Sequence, residues 1–485
     1  MLRIDDGLAP KDLLAATGRM WELSAGKIDA IDASCPPGGS QGAPVFTVEG
    51  RYTARGWTEW TQGFQVGSAL LQFDATGDPH FLEQGRRHTF GVMAAHVSHI
   101  GVHDHGFNNV STYGTLRRLI LEGRADAGDL AFAELALKVS GAVQAARWSR
   151  TADGGGYIYS FNGPQSLFVD TIRSCRSLAV AHRLGHVLMG EHDERIDLLE
   201  RLVRHAESTA RHNVYFGEGR DVYDVRGRTA HEALFNVNDG RFRAPSTQQG
   251  YSAFSTWTRG LAWAMLGFAE LLEFLESGDQ VVDSDLFRAA AQATCDFYIE
   301  HSPADGIPYW DTGAPGLAHL DVDAPADPYN AYEPVDSSAA AIAAQGLLRL
   351  GRAIGDDRYT QAGLTVARTL LQEPYLSTDP RHEGLLLHSV YHRPNGWDHV
   401  APGQSVPNGE SSMWGDYHLR ELALYIGRLV DGPYYTFFGG TPSSAAPGGT
   451  PSSAAPGGTP SSAAPGGTPS SAAPGGGLDG DGVQR

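Results

Sequence analysis

The chain has 485 residues, of which 41% are hydrophobic, enough to bury a large core in one big domain or in several average ones. Its formal net charge is −19, and its 37 basic residues are scattered along the sequence. Nucleic acid and anionic membranes would be repelled by this charge, so neither is an expected partner. An acidic ligand would need cationic groups placed locally in its site.

The cysteines and the N-terminal residues further limit the class of protein that this sequence can encode. Cys35, Cys175 and Cys295 are far apart and odd in number, so neither a CxxC zinc site nor a disulfide framework is expected. The N-terminus lacks a basic stretch followed by an apolar one, and no run of about 18 apolar residues occurs. We therefore expect no secretion signal and no membrane span, with the cytoplasm as the default location, although a trimmed sequence would look the same.

The end of the chain differs from the rest. From Thr441 the unit TPSSAAPGG occurs four times and is followed by GLDGDGVQR. A segment of Pro, Gly, Ser and Ala has no large apolar side chains with which to form a core, so we predict a disordered tail over 436–485. Residues 1–435 are then expected to form a single catalytic domain.

Helical periodicity dominates residues 1–435. Turn signals such as ThrGlyAspPro at 76–79 and GlyAspAsp at 355–357 separate the periodic segments. Twelve helices are predicted, over about 10–32, 57–76, 80–100, 109–124, 127–147, 165–187, 192–213, 255–277, 283–303, 335–355, 357–373 and 411–431. Alternation typical of strands is brief, near 156–160 and 220–225.

Twelve helices joined by short loops are typical of an (α/α)6 barrel, an all-α fold in which six inner helices are surrounded by six outer ones. A solenoid is the competing architecture, but no repeat of fixed period occurs outside the tail. Clusters rich in Trp, Asp, His and Arg precede or open every second predicted helix, at 60–64, 103–107, 168–171, 248–251, 335–338 and 413–417. Six such clusters at the same ends of alternate helices would converge on one rim, which favours the barrel.

Two aspartates are candidates for acid/base chemistry. Asp170 lies among apolar residues where a helix is predicted to begin, so it is either an N-cap or a catalytic acid whose protonation desolvation favours. Asp104 lies between His103 and His105, but adjacent residues on a turn rarely converge on one ion, so no metal site is predicted. If Asp104 faces Asp170, their repulsion raises one of the two pKa values and keeps one carboxyl protonated near neutrality.

A further cluster at 248–263 fits an acidic sugar. Trp263 lies one helical turn beyond Arg259 and on the same face, with Trp257 at the start of the helix. Indole rings stack on the apolar faces of sugars, and an arginine fork pairs with a carboxylate. A tryptophan pair in the core with a structural arginine is the alternative, and the pattern leaves both open. Other candidates, each by itself more typical of a core than of a ligand site, are Trp60, Phe64, Phe161, His231 and Trp414.

Together these clusters resemble the unsaturated glucuronyl hydrolases, a glycoside hydrolase family that opens unsaturated uronic acids. HisAspHisGlyPhe at 103–107 resembles the family's HisAspLeuGlyPhe, and PheValAspThrIle at 168–172 resembles its IleAspThrMet segment. GlnGlyTyrSer followed by TrpThrArgGlyLeuAlaTrp, over 249–263, resembles HisGlnGlyTyrSer followed by TrpAlaArgGlyGlnAlaTrp. The resemblance covers most of 50–430, with the motifs in the family's order, and includes segments at 336–341, 385–388 and 414–417.

The resemblance implies roles for individual residues. It places Asp170 at the catalytic acid/base, Asp104 at a second aspartate of the site, and Gln249, Arg259 and Trp263 at substrate-contacting positions. With the other candidates, the predicted substrate-binding residues are Phe64, His103, Phe161, His231, Gln249, Trp257, Arg259, Trp263 and Trp414. The sequence departs from the family pattern where His105 replaces Leu, Gln248 replaces His, and Ala253 and Phe254 replace an acidic pair, changes that bear on the exact substrate.

The mechanism that the resemblance implies is hydration, without direct displacement at the glycosidic bond. The substrate would be an oligosaccharide whose terminal uronic acid carries a C4=C5 double bond, as polysaccharide lyases leave behind. Asp170 would protonate C4, water would add at C5, and the resulting hemiketal would collapse, with no cofactor. Asp104 would help to hold Asp170 protonated. The carboxylate separations of ordinary glycosidases need not apply.

Two alternatives remain open. Another barrel enzyme that acts on uronic sugars, such as a rhamnogalacturonyl hydrolase or a lyase, would carry similar clusters. A non-catalytic carbohydrate-binding protein would keep the aromatic residues, but it would not need Asp104 and Asp170 in one site. An epimerase or isomerase of this architecture would require histidine pairs in the barrel centre, where this sequence has aspartates.

Overall fold

The computed structural model describes residues 1–55, 59–278 and 282–439. The α-helices are α1 Leu14–Ser34, α2 Gln62–Thr76, α3 Pro79–Val92, α4 Ala94–Val97, α5 Thr115–Leu121, α6 Leu130–Ala146, α7 Thr171–Ser174, α8 Arg176–Arg183, α9 Leu198–His212, α10 Thr258–Glu276, α11 Asp285–His301, α12 Ser337–Ile354, α13 Asp357–Leu370 and α14 Met413–Val430. A π-helical segment, Gly106–Gly114, runs directly into α5. Each of the twelve predicted helical stretches contains a helix.

Side chains and glycines at the helix ends explain where several helices begin and stop. Asp336 and Ser412 are N-caps, whose side-chain oxygens accept backbone N–H bonds at the starts of α12 and α14. Gly77 and Gly355 end α2 and α12 in the left-handed conformation, with φ values of 73° and 70° that cost glycine little. Local signals therefore set both ends of α12 and one end each of α2 and α14.

Within the described residues, six helical units form a closed inner ring. They are α2, the π-helical segment with α5, α7 with α8, α10, α12 and α14. Around the ring, α2 contacts the π-helical segment and α5, the π-helical segment contacts α7 and α8, α7 contacts α10, α10 contacts α12, α12 contacts α14, and α14 returns to α2. The outer helices α1, α3, α6, α9, α11 and α13 pack around this ring. The architecture is the predicted (α/α)6 barrel, and contact between α14 and α2 excludes an open solenoid.

Glycine allows the inner helices to approach each other closely. A Cβ at Gly106 would lie 2.0 Å from the backbone oxygen of Ser174, and a Cβ at Gly63 would lie 2.4 Å from the Cα of Asn108. Neither position has room for a side chain, so the glycines of the clusters at 60–64 and 103–107 set the spacing of the ring.

The strands are short and form small antiparallel sheets within the described ranges. They are β1 Pro44–Val48, β2 Arg51–Ala54, β3 Trp148–Arg150, β4 Gly156–Ile158, β5 Ser166–Phe168, β6 Val187–Met189, β7 Arg195–Asp197, β8 Glu232–Phe235 and β9 Phe242–Ser246. The predicted strand near 156–160 corresponds to β4. The prediction near 220–225 is wrong, because the carboxylate of Asp224 accepts bonds from the backbone N–H groups of Gly217, Glu218 and Arg220 and holds a turn there.

The packed chain extends through Phe438. Tyr435, Phe437 and Phe438 are buried, and the Tyr435 hydroxyl donates to Glu421 Oε1 at 2.9 Å. The repeats that begin at Thr441 lie outside the described residues, so the division into a domain over 1–435 and a tail over 436–485 stays a prediction. Among the described helices, none combines the length and the apolar character needed to cross a bilayer. The cytoplasmic location also stays a prediction.

Candidate active site

A cavity of about 830 Å³ opens at the end of the barrel where the inner helices begin. Its size suits a small ligand. Residues of the clusters at 60–64, 103–107, 168–171 and 248–251 line it, together with the start of α10. The clusters at 335–338 and 413–417 lie one layer behind, so the six clusters converge on one end of the barrel in two shells.

Asp104 and Asp170 both line the cavity, and His103 lies between them. His103 Nε2 is 3.5 Å from Asp170 Oδ1 and 3.8 Å from Asp104 Oδ1, within ion-pair range but too long for good hydrogen bonds. Within the described residues, neither nitrogen of His103 has a hydrogen-bond partner, nor has Asp170 Oδ1, although all three atoms are buried. Buried polar atoms are rarely left in this state, and their clustering here indicates a ligand that supplies the missing bonds.

Asp170 occupies the N-cap position of α7, but its side chain makes no capping bond. Asp336 shows the contrast, because its carboxylate accepts the backbone N–H groups of Ser338 and Ala339 at the start of α12. The capping role that the sequence left open for Asp170 is therefore excluded. Its carboxyl is available within the cavity.

The two carboxyls differ in the direction of their pKa shifts. Burial raises the pKa of Asp104, the charge of His103 opposes the rise, and the charge of Asp170 adds to it. Burial also acts to raise the pKa of Asp170, but contact with His103 and the nearby His231 and Arg259 lower it overall. Repulsion between the two carboxyls was expected to raise one of their pKa values. In the unliganded protein the raised pKa is that of Asp104, because His103 favours the anion of Asp170.

Arg259 lines the cavity with its fork already occupied. Nη1 donates to Asp336 Oδ2 at 2.7 Å and to the carbonyl of Val390, and Nη2 donates to Gln249 Oε1 at 2.9 Å and to the carbonyl of Tyr391 at 2.7 Å. The fork was expected to pair with a substrate carboxylate, whereas in this structure it anchors Gln249 and the backbone of the cavity wall. Its positive charge still reaches the cavity.

His231 lies next to Asp170 because β5 pairs with β8, and the N–H of Val169 donates to the His231 carbonyl at 2.9 Å. Its Nδ1 accepts the backbone N–H of Gln248 at 3.0 Å, so the ring proton is on Nε2, a buried atom without a partner in the described structure. Burial lowers the pKa of His231 to about 4, so the ring is neutral at neutral pH. His231 does not itself line the cavity and supports the lining residues Phe168 and Trp257, with ring centroids at 4.4 and 4.8 Å.

Two other predicted substrate residues also lie behind the lining. Phe64 is fully buried and packs against Trp60 and Phe107, with centroid distances of 5.9 and 5.7 Å. Trp414 is fully buried, stacks on Trp60 at 5.1 Å, and donates from its indole nitrogen to Ser338 Oγ at 2.9 Å. Both were expected to contact substrate, and both are instead one layer removed, because the inner helices turn these side chains into the barrel core. The predicted residues that do line the cavity are His103, Asp104, Phe161, Asp170, Gln249, Trp257, Arg259 and Trp263.

Comparisons with known proteins give a consistent relationship. No protein-family model matches the chain. The unsaturated glucuronyl hydrolase of Bacillus sp. (strain GL1) is 26% identical over 434 residues, which cover 86% of this chain and 99% of the relative. The unsaturated chondroitin disaccharide hydrolase of Streptococcus pyogenes serotype M1 is 25% identical over 391 residues, covering 78% of this chain and 84% of that protein. The chain is a relative of the unsaturated glucuronyl hydrolases.

A solved structure extends this relationship to three dimensions. The crystal structure of the Bacillus sp. GL1 unsaturated glucuronyl hydrolase, described as responsible for glycosaminoglycan degradation, matches with a TM-score of 0.65 and 22% identity. The match covers 86% of this chain and 97% of that chain, and at this identity it shows a shared fold. The family resemblance and the barrel fold predicted from the sequence are confirmed.

The loop between α13 and α14 contributes cavity residues that the sequence analysis missed. Tyr391, His392, Asn395 and Trp397 line the cavity. Their signal was present in the dense polar and aromatic segment TyrHisArgProAsnGlyTrp at 391–397. The search for clusters at helix starts passed over it, because the segment lies well upstream of α14. Other lining residues that were not predicted are Glu59, His99, Gly101, Val102, Phe107, Asn162, Phe168 and Gln248.

The departures from the family pattern lie in different places. Gln248 lines the cavity, whereas His105 faces away from it and bonds to Ser140 Oγ at 3.0 Å and to the carbonyl of His99 at 2.9 Å. Phe254 is half exposed and stacks on Tyr223 at 4.6 Å, outside the cavity lining. Of these positions, Gln248 has direct access to a ligand in the cavity.

Proposed function

We propose that this chain removes the terminal unsaturated uronic acid from an oligosaccharide by hydrating its C4=C5 double bond, with Asp170 as the acid and base. The observation that carries the proposal is the buried Asp170 carboxyl, which caps no helix and lies in the cavity beside His103 and Asp104. The named relatives are hydrolases of unsaturated sugars, and they support the predicted glycosidase class.

The reaction consumes one water molecule and regenerates the acid. The O–H bond of protonated Asp170 breaks as its proton bonds to C4, and the π electrons of C4=C5 form the new C–H bond, which leaves an oxocarbenium-like centre at C5. Water adds to C5 and gives a proton back to the Asp170 carboxylate. The hemiketal at C5 then opens: its C5–O ring bond breaks as the proton of the C5 hydroxyl passes to the ring oxygen, which leaves a ketone at C5 and a hemiacetal at C1. This hemiacetal collapses as its C1–O glycosidic bond breaks and its hydroxyl proton passes to the leaving oxygen, which releases an open-chain keto-uronate and the shortened saccharide.

Ligand binding itself favours the protonated form of Asp170. The substrate's own carboxylate brings a negative charge into the cavity, and its rings displace water from the carboxyl. Both changes destabilise the Asp170 anion and so raise its pKa relative to the unliganded protein. Asp104, whose pKa burial raises, lies on the other side of His103.

The cavity lining fits a sugar with one charged group. Trp257, Trp263 and Trp397 supply indole rings for the apolar faces of the pyranose rings. Gln249 offers its amide N–H groups to the ligand, because its Oε1 is held by Arg259 at 2.9 Å. Arg259 stands behind this amide, so its charge attracts the uronate carboxylate without a direct ion pair.

A spectroscopic assay tests the proposal. Unsaturated uronic acids absorb in the near ultraviolet, and hydration of the double bond removes this absorbance. We expect the wild-type chain to make the absorbance of lyase-generated unsaturated disaccharides fall, with one keto-uronate released for each disaccharide consumed. A panel of chondroitin, hyaluronan, heparin, ulvan and xanthan disaccharides identifies the parent glycan.

The same assay separates the competing functions. With the parent polymer in place of the disaccharides, a lyase would make the absorbance rise. A non-catalytic binding protein would leave the absorbance flat with either substrate while quenching cavity tryptophan fluorescence. A flat signal across the whole panel, from folded protein, would refute the proposed function.

A further inference from the structure

His103 is a buried cavity residue that has no role in the hydration steps themselves. Its ring is 1% exposed, packs against Phe161 and Phe168 with centroid distances of 6.0 and 5.6 Å, and leaves both nitrogens without hydrogen-bond partners in the described structure. Buried histidines with a packing role use at least one nitrogen. His105 does so with Ser140, and His205 does so by accepting the N–H of Ile158 at 3.1 Å.

The backbone of His103 is held firmly while its ring is left unbonded. The His103 carbonyl accepts a bond from Gln144 Nε2 at 2.7 Å and another from the Ser174 hydroxyl. These partners belong to α6 and α7, and α7 directly follows Asp170. The backbone of His103 is therefore held beside Asp170 in part by the helix that begins directly after Asp170.

We propose that His103 is a positioning residue for the catalytic proton: it holds the proton in the unliganded protein and passes it to Asp170 when an unsaturated uronic acid fills the cavity. The inference rests on the proposed function and adds the source of the proton. The Nε2–H bond breaks and an O–H bond forms on Asp170, over a separation of 3.5 Å between the two heavy atoms. The electron pair of the N–H bond stays on the imidazole, so a charged pair becomes a neutral pair with no change in total charge.

Desolvation supplies the driving force for this transfer. In the unliganded cavity the Asp170 side chain is 13% exposed, so water stabilises its carboxylate, and that carboxylate in turn stabilises the buried imidazolium. A sugar that displaces this water makes the charged pair costly, and the neutral pair is favoured because it carries no net charge on either group. The uronate carboxylate of the substrate acts in the same direction on Asp170, which it repels as an anion.

The charges around His103 single it out as the proton carrier. The groups that face it are Asp104, Asp170, Arg147 at the end of α6, His205 on α9 and His231 before β8. Burial opposes a charge on His103, but Asp104 and Asp170 outweigh it and raise its pKa. The pKa of His205 is lowered by burial to about 3 and that of His231 to about 4, so neither neighbouring ring holds a proton near neutrality.

The pH dependence of His103→Gln tests the proposal. In the wild type, the basic limb of kcat/KM reports loss of the proton that the His103–Asp170 pair shares. In His103→Gln, Asp170 must hold this proton alone, so we expect the basic limb to move about one pH unit or more toward acid. Activity should fall about tenfold or more at pH 8 and much less at pH 5. His105→Gln is the matched control, since its ring faces away from both carboxylates, and its basic limb should stay in place.

A histidine that only bound substrate would give a different result. Its loss would raise KM by a similar factor at every pH and leave the basic limb where it is. If His103→Gln gave that result and the wild-type chain turned over substrate, the proton-holding role would be overturned and the proposed function would stand. A wild-type chain without turnover would overturn the proposed function instead.

Nuclear magnetic resonance of imidazole carbons locates the proton without any turnover. We expect the His103 signal, assigned in the wild type through its contacts with the Phe161 and Phe168 rings, to titrate above 6.5 in the unliganded protein. In Asp170→Asn the His103 pKa should fall, because one of its two carboxylate neighbours is removed. A His103 ring that is neutral at pH 6 in the wild type would contradict the proposal even if His103→Gln failed to fold.

Discussion

The two ends of the inner ring handle buried charge in opposite ways. Along the second halves of the inner helices, each buried acid has a close arginine. Asp74 at the end of α2 accepts Arg118 and Arg428, each at 2.5 Å, and Arg173 is bound to Glu270 at 3.1 Å and Glu421 at 2.6 Å. These contacts join α2, α5, α7, α10 and α14 across the barrel axis.

At the cavity end, buried polar atoms lack such partners. His103 Nε2 and Asp170 Oδ1 approach only to 3.5 Å, and His231 Nε2 has no bond in the described residues. The charged side chains at both ends are largely buried, so burial alone does not explain the difference. The two ends differ in their acids: Asp74, Glu270 and Glu421 are bonded to arginines, whereas the Asp170 carboxyl is left for a ligand.

At the cavity end, where buried polar atoms lack charged partners, Asp170→Asn is the variant with the largest expected effect on activity. The amide is nearly isosteric but cannot deliver a proton to C4, so we expect kcat to fall about a thousandfold or more. Sugar binding should persist, because no bond to the indole lining is lost. Absorbance decay measures turnover, and quenching of tryptophan fluorescence measures binding in the same samples.

Asp398→Asn provides the matched control for this variant. Asp398 is a partly buried acid that accepts backbone N–H bonds from the lining segment at Tyr391 and His392. Its loss should affect binding more than turnover. If Asp170→Asn kept the wild-type kcat, Asp170 would not take part in the reaction. The unpartnered carboxyl at the cavity end would then have no catalytic explanation.

Asp74→Asn tests the opposite end of the ring, where the buried acids are bonded to arginines. It leaves Arg118, Arg124 and Arg428 around a neutral side chain in a buried position, which should lower the free energy of unfolding by about 3–5 kcal/mol. Activity per folded molecule should hardly change, because Asp74 lies near the last residue of α2 and the cavity lies at the first. Urea unfolding followed by circular dichroism measures the loss.

Asp29→Asn is the surface counterpart of that experiment. Asp29 pairs with His80 at 2.8 Å, but both side chains are more than half exposed, so its removal should change stability by less than about 1 kcal/mol. If Asp74→Asn is no more damaging than Asp29→Asn, the far end does not depend on its charge pairs, and the contrast between the two ends loses its meaning.

The ring could be predicted from the sequence because its determinants are local. Helical periodicity, the caps at Asp336 and Ser412, and the glycines at 63 and 106 all act over a few residues or one contact. The carboxyls were also predictable, since Asp104 and Asp170 each open an inner-ring segment. Alternate helices in a barrel present the same end to the same rim, so motif spacing carries this information.

The layering within the site was not predictable, because it depends on tertiary packing. Phe64 and Trp414 belong to the same clusters as cavity residues, yet the rotation of α2 and α14 places them behind Trp60. The use of the Arg259 fork by Gln249 and Asp336 depends on chain segments far apart in sequence. The lower pKa of Asp170 depends most on the position of the His103 ring, which no spacing rule gives.

The buried neutral histidines predict how the molecule responds to acid. Burial lowers the pKa of His205 to about 3, whereas an unfolded chain binds this proton below 6.5. Between these values the unfolded state holds more protons, so stability is lost as the pH falls from 6.5 toward 3, by about 1.4 kcal/mol per pH unit for this residue. About 2 kcal/mol should therefore be lost by pH 5.

His205→Gln should remove that share of the pH dependence. Urea unfolding at pH 7.5, 6 and 5 gives the slope, and His192→Gln, at an exposed position, serves as the matched control. A uniform loss of stability at every pH would show that His205 matters only through its bond to Ile158. A smaller slope would show that the buried neutral ring of His205 contributes to the acid sensitivity of the barrel.

Arg259 is the exception at the cavity end, because its charged guanidinium is fully hydrogen-bonded within the protein. Arg259→Lys keeps the positive charge but not the planar fork, and a single ammonium cannot span Asp336, Gln249 and the carbonyls at 390 and 391. We expect KM to rise about tenfold, equivalent to about 1.4 kcal/mol, with a smaller change in kcat. Arg393→Lys, on the same side of the barrel but outside the cavity lining, should leave both constants within about twofold. If Arg259→Lys kept its KM, charge alone would suffice at this position, and the bonds that Arg259 makes inside the protein would not be what holds the cavity wall ready for the substrate.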